Sequence, residues 1–111
     1  MKRLQDNVTI ITGGGKGIGF GLAQAFAEEG SDLVLTGRTE SRLLTAKEVL
    51  ETRYGIRVLP IVADGADEEA IRGVVRKTIE TFGRIDTLVN NAQVSRSGLP
   101  LIEHTKEDFD M

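Results

Sequence analysis

The stretch Val8-Thr9-Ile10-Ile11-Thr12-Gly13-Gly14-Gly15-Lys16-Gly17-Ile18-Gly19 decides how the rest of the chain is read. Its first five residues are a short β-branched and apolar run that stops at a glycine, the pattern of a buried strand. A helical pattern begins at Gly17 and extends over 17–29, with Ile18, Leu22, Ala25 and Phe26 expected on its buried stripe and Gly30 as its stop. A glycine-rich turn between a strand and a helix carries a physical meaning that glycine spacing alone does not. Gly13 permits the tight turn, Gly17 removes a Cβ where an anionic diphosphate approaches, and Gly19 lets helix and strand pack closely. The unpaired N–H groups at the helix start then face the anion, aided by the helix dipole. The alternative is a flexible turn that binds nothing. The concentration of glycines at one helix start, costly in chain entropy, argues against it.

The same alternation continues outward. Leu33-Val34-Leu35-Thr36 reads as a second strand, followed by a helix with Thr39 at its N-cap, the stripe Leu43, Ala46, Leu50 and Tyr54, and Gly55 as its stop. Val58-Leu59-Pro60-Ile61-Val62 is a third strand, and Pro60, which cannot donate to a ladder, puts it at a sheet edge. Asp67 is placed to cap a third helix whose apolar residues Ile71, Val74, Val75, Thr78, Ile79 and Phe82 keep helical spacing up to Gly83. Thr87-Leu88-Val89 is a fourth strand, 95–100 reads as loop, and Thr105-Lys106-Glu107-Asp108 resembles the cap of a further helix. The strands are apolar at successive positions, so both faces are expected to be covered. The predicted fold is therefore a three-layer α/β domain with a parallel sheet, the first two helices on one face and the third on the other, in strand order 3-2-1-4.

Composition narrows the function classes. The 111 residues fit one domain, and 14 Lys and Arg against 17 Asp and Glu leave a formal charge of −3. That balance supplies no field for nucleic acid or an acidic membrane surface. No apolar run approaches a membrane span, and the basic residues near Met1 have no apolar stretch behind them, so a cytoplasmic protein is expected. With no Cys and one His, disulfide, thiol and histidine-rich metal chemistry are excluded. Glycine, at 13 of 111 residues, is in clear excess over the usual ~7%, and five of the thirteen (Gly13, Gly14, Gly15, Gly17 and Gly19) surround the first helix start.

The chain resembles the short-chain dehydrogenase/reductases. Their signature Thr-Gly-x-x-x-Gly-x-Gly is matched by Thr12, Gly13, Gly17 and Gly19, and their Asn-Asn-Ala-Gly after the fourth strand is nearly matched by Asn90-Asn91-Ala92-Gln93. An acidic residue after the third strand is matched by Asp64. The resemblance spans essentially the whole chain and implies a Rossmann-like domain of an oxidoreductase, with a nicotinamide dinucleotide held by Gly13, Gly15, Lys16, Gly17, Ile18, Gly19, Arg38, Asp64, Asn90 and Ala92. In the family the acidic residue contacts the adenine; Asp64 before Gly65 also suits a plain turn, and the two roles are compatible. Asn90 and Asn91 likewise have a reading as partners for backbone groups at a strand end. Gln93 departs from the family glycine and puts a side chain where the ribose would lie. His104 reads as a loop or capping residue.

The form of the cofactor follows from charge. Enzymes using NAD usually carry Asp or Glu at the end of the second strand to accept a hydrogen bond from the ribose 2′-OH. Here Gly37 stands at that place and Arg38 follows. An arginine pairs with a 2′-phosphate and stacks on adenine, and Lys16 is the second basic position of family members that prefer NADP. NADP(H) is therefore expected over NAD, unless both side chains are merely solvated.

The family's catalytic Tyr, the Lys four residues later, its Ser and its Asn cannot be placed. Tyr54 is the only tyrosine, Val58 lies four residues on, and Ser95 and Ser97 precede the strand that carries the family serine. The chain is thus expected to be the cofactor-binding, N-terminal half of such an enzyme, not catalytic by itself. Leu88 and Val89 are then expected on an unpaired sheet edge with part of one face bare, predicting a homodimer through the fourth-strand edge or the exposed face beside it. The alternative is a non-catalytic nucleotide-binding or association module using that edge.

Overall fold

In the computed structural model, residues 3–15, 17–91 and 101–103 are described. Strand β1 (Val8–Thr12) leads through the glycine turn into helix α1 (Gly17–Glu28). The β2 (Asp32–Gly37), α2 (Glu40–Tyr54), β3 (Val58–Val62), α3 (Glu68–Phe82) and β4 (Thr87–Asn90) elements follow in strict alternation. The four strands pair in parallel in the order β3-β2-β1-β4, as expected. Pro60 indeed lies on an edge strand.

Alternation along the strands sorts the core into two layers. Ile11, Leu33, Leu35 and Val89 point to one face and pack with Ala23, Ala27, Leu43, Ala46 and Leu50 of α1 and α2. Val8, Ile10, Val34 and Leu88 point to the other face and meet Val74 of α3, with Val75 and Phe82 against their rim. Gly55 and Gly83 close α2 and α3 in the left-handed conformation, at φ 72° and 80°.

Two expectations are corrected. The buried stripe of α1 is Gly19, Ala23 and Ala27, whereas Ile18 is 58% exposed and Ala25 is on the solvent side. The helix approaches the sheet so closely that only residues with a single methyl or none fit beneath it; Leu22 and Phe26 pack at the margin. The fourth strand is also not an edge. A three-residue strand β5 (Leu101–Glu103) pairs antiparallel with it, in the register Leu88↔Glu103, Val89↔Ile102 and Asn90↔Leu101. Leu88 and Val89 are buried, at 6% and 0% exposure. The free edge invoked for a homodimer is therefore filled. Three residues are too few for periodicity to register as a strand, and the loop expected over 95–100 lies outside the described residues. The expected helix cap at Thr105-Lys106-Glu107-Asp108 lies outside the described residues.

The opposite edge is guarded by side chains. The outward N–H of Val58 donates to the Glu51 carboxylate at 3.0 Å, and its carbonyl accepts from Lys47 at 2.9 Å. Lys47 and Glu51 are themselves paired at 2.7 Å. Partial burial pushes the Glu51 carboxyl up, but the Lys47 ammonium and the Val58 amide outweigh it and hold it below the usual glutamate range. With Pro60 lacking a donor, two successive outward positions of β3 are closed to another strand.

Candidate functional site

The carboxyl ends of the parallel strands and the starts of the helices converge on one side of the sheet, where ligands of open α/β sheets bind. A groove of about 740 Å³ lies there. It is lined by Gly13, Gly15, Gly17 and Ile18 of the β1–α1 turn, by Gly37, Arg38, Thr39 and Arg42 around the β2–α2 connection, and by Ala63 to Ala66 after β3.

The glycine turn is fixed from several sides. The Gly13 and Gly14 amides donate to the Thr36 carbonyl at 2.8 and 3.1 Å, tying the turn to the end of β2. A Cβ added to Gly19 would collide with the Gly13 carbonyl and stand 2.8 Å from Asn91 Nδ2, so here the missing side chain permits the close approach. At Gly17, with φ +58°, a Cβ would meet nothing within 4 Å. The space over the start of α1 is therefore open to a ligand, and the first turn of α1 carries no acidic residue. This is the arrangement a diphosphate needs: backbone donors, a positive helix end and no Cβ in the way.

The expected residues fall into three groups. Gly13, Gly15, Gly17, Ile18, Arg38 and Asp64 come together along the groove. Gly19 and Asn90 stand behind it. Asn90 Oδ1 accepts from the Thr12 hydroxyl at 3.1 Å, so Asn90 braces the end of β4 against β1. Lys16 and Ala92, with Gln93, Ser95, Ser97 and His104, lie outside the described residues.

Asp64 shows its turn role directly: its Oδ1 accepts from the Ala66 amide at 2.9 Å. Arg38 is exposed and makes no ion pair among the described residues. Tyr54, at the far end of α2 from the groove, packs half-buried against the core, so it brings no phenol to the site.

Sequence reasoning missed Asn91, Arg42 and Thr39 as lining residues. Asn91 Nδ2 donates to the Gly13 carbonyl at 3.4 Å. Adjacent residues at a strand end face opposite ways, and composition does not say which of Asn90 and Asn91 turns to the groove. For Arg42 a signal existed: it sits one helical turn after Arg38, on the helix leaving the same strand end.

Residues 7–111 match the family model described as short chain dehydrogenase. The 12alpha-hydroxysteroid dehydrogenase of Clostridium sp. (strain ATCC 29733 / VPI C48-50) is 54% identical over 110 residues, covering 94% of this chain and 42% of that protein. In fold the chain is similar to L-sorbose reductase from Gluconobacter frateurii, solved with NADPH and L-sorbose, at TM-score 0.78 and 40% identity over 83% of this chain and 35% of that one. It is also similar to an NAD+-bound xylitol dehydrogenase, at TM-score 0.73 and 32% identity, covering 78% and 33%. The chain thus spans less than half the length of these relatives.

Proposed function

This chain belongs to the short-chain dehydrogenase family, a family of oxidoreductases, and on that premise we propose that it is the NADP(H)-binding, N-terminal part of a cytoplasmic carbonyl reductase or alcohol dehydrogenase. The reading is carried by one observation. Arg38, with no carboxylate partner among the described residues, stands at the end of β2 beside Gly37, on the rim of a groove whose other wall is the open start of α1.

The residues present fit the dinucleotide. Gly17 leaves its Cβ position empty over the helix start, and Gly19 allows α1 to come close enough for its first N–H groups to reach a diphosphate. Gly13, Gly15, Gly17 and Ile18 would hold the diphosphate and its neighbouring ribose, Asp64 would meet the adenine, and Arg38 and Lys16 would take the 2′-phosphate. Gly19, Asn90 and Ala92 complete that set; Gly19 and Asn90 act by fixing the turn and the end of β4. When bound, the nicotinamide supplies a hydride to a carbonyl carbon, or accepts one from an alcohol.

The proton that accompanies the hydride needs a donor, and the one tyrosine, Tyr54, is packed against the core away from the groove. On this reading the 111-residue chain acts as a binding unit, with no tyrosine of its own placed to supply that proton. Titrating the chain with NADPH and with NADH tests the reading. NADPH binding at least tenfold tighter is expected, since one charge-assisted contact contributes about 1.5–3 kcal/mol. Equal affinities would remove the NADP assignment, and no binding of either would reduce the groove to architecture.

A further inference from the structure

The groove holds a second guanidinium. Arg42, the third residue of α2, lines the same groove as Arg38 and also the apolar hollow beside it, so it stands on the ridge between them. A methyl built on Gly15 would lie 3.4 Å from the Arg42 Cβ. The side chain thus starts against the glycine turn and spans from α2 toward it.

Its charge is not spent elsewhere. Among the described residues, Arg57, Arg72 and Arg84 are paired with carboxylates at 2.6–3.1 Å. Neither Arg42 nor Arg38 has such a partner. The helix start beneath them is also left open. Thr39 occupies the N-cap with extended backbone, yet its hydroxyl accepts no amide. Only the Leu43 N–H returns to the Thr39 carbonyl, at 3.3 Å. The amides of the first turn and the Thr39 hydroxyl are left uncapped, and the one acid of that turn, Glu40, is exposed and outnumbered by the two arginines.

A phosphate monoester, carrying about −1.5 to −2 charges at neutral pH, matches two guanidinium groups over an uncapped helix start. We propose that Arg42 is a specificity-determining residue that clamps the 2′-phosphate of NADP(H) opposite Arg38, with the Thr39 hydroxyl between them. This rests on the dinucleotide reading above. Because Arg42 emerges from a helix and Arg38 from a strand end, the two approach the phosphate from different sides, which a diol at the same place does not reward.

Direct titration of the 111-residue chain, wild type against Arg42→Gln, Arg42→Lys and Arg38→Gln, separates the outcomes. Ligands are NADPH, NADH and adenosine 2′,5′-bisphosphate, with thermal melting as the control for folding. Arg42→Gln is expected to weaken NADPH and the bisphosphate about tenfold and to change NADH less than twofold, with Arg42→Lys recovering part of the loss. Unchanged NADPH affinity in Arg42→Gln, with a loss in Arg38→Gln, overturns the Arg42 assignment and leaves the NADP reading standing. An equal loss for NADPH and NADH makes Arg42 structural and also overturns it. A wild-type chain that does not prefer NADPH overturns both.

Discussion

Helices α2 and α3 leave the same end of the sheet, but their starts are built in opposite ways. At α3 the Asp67 carboxylate accepts the Glu69 and Ala70 amides at 3.0 and 3.2 Å, and Glu68 and Glu69 fill the first turn. The exposed donors are satisfied and the local charge is negative, so an anion finds nothing there. At α2 the capping residue is present but makes no cap, and the single acid of the first turn, Glu40, is outnumbered by Arg38 before it and Arg42 within it. Helix α1 has open space over Gly17, and unlike α2 it carries no acid in its first turn. Where a helix start is stabilised by its own side chains, the fold benefits. Where it is left open in a groove, as at α1 and α2, its donors are available to the proposed anionic ligand.

Four substitutions break or sharpen that contrast. The largest effect is expected from Gly19→Ala, whose Cβ runs into the Gly13 carbonyl, a backbone atom that cannot turn aside. Destabilisation of about 2–3 kcal/mol is expected in denaturant melts, together with loss of nucleotide binding, because the turn must open to admit the methyl. Next is Gly37→Asp. Its Cβ would meet only the Leu43 side chain, at 3.4 Å or more, and would place a carboxylate next to Arg38 at the proposed 2′-phosphate position. NADPH affinity should fall ten- to a hundredfold while NADH affinity rises, reversing the preference in paired titrations.

Asp67→Ala acts on the closed start. It should cost about 1 kcal/mol in thermal or chemical melts and leave both nucleotide affinities unchanged. Thr39→Ala is the smallest. Since the Thr39 hydroxyl caps nothing, stability should change by less than about 0.5 kcal/mol, where a working threonine cap would cost about twice that. A large loss at Thr39, or none at Asp67, would erase the distinction between the two helix starts.

Much of this was legible beforehand because local rules and the global fold agree. Val74, Val75, Thr78 and Phe82 of the α3 stripe, the Asp67 cap and the glycine stops at Gly55 and Gly83 are all set within one or two helical turns, whereas Ile79 of that stripe is 47% exposed. Pro60 announced its edge through a missing donor. The failures have a common cause in distances between segments. The face of α1 is chosen by how near the helix comes to β1, which favours Gly19, Ala23 and Ala27 over the larger residues that a hydrophobic pattern selects. β5 is a pairing of three residues with a strand that carries no local mark of a partner. Asn90 and Asn91 differ only in which way they face: one takes the Thr12 hydroxyl and the other holds the Gly13 carbonyl. Arg42 needed the path of α2 past Gly15 before its proximity to the groove was visible.

The most direct test is an amide footprint of NADPH on the chain by heteronuclear NMR. The account predicts large shifts at Gly13, Gly15, Gly17 and Ile18 and along 37–43, with the Glu69 and Ala70 amides unmoved because Asp67 already holds them. NADH should reproduce the shifts at the glycine turn but weaken those at Arg38 and Arg42. Shifts centred on the start of α3, or a glycine turn that does not respond to either nucleotide, would contradict it.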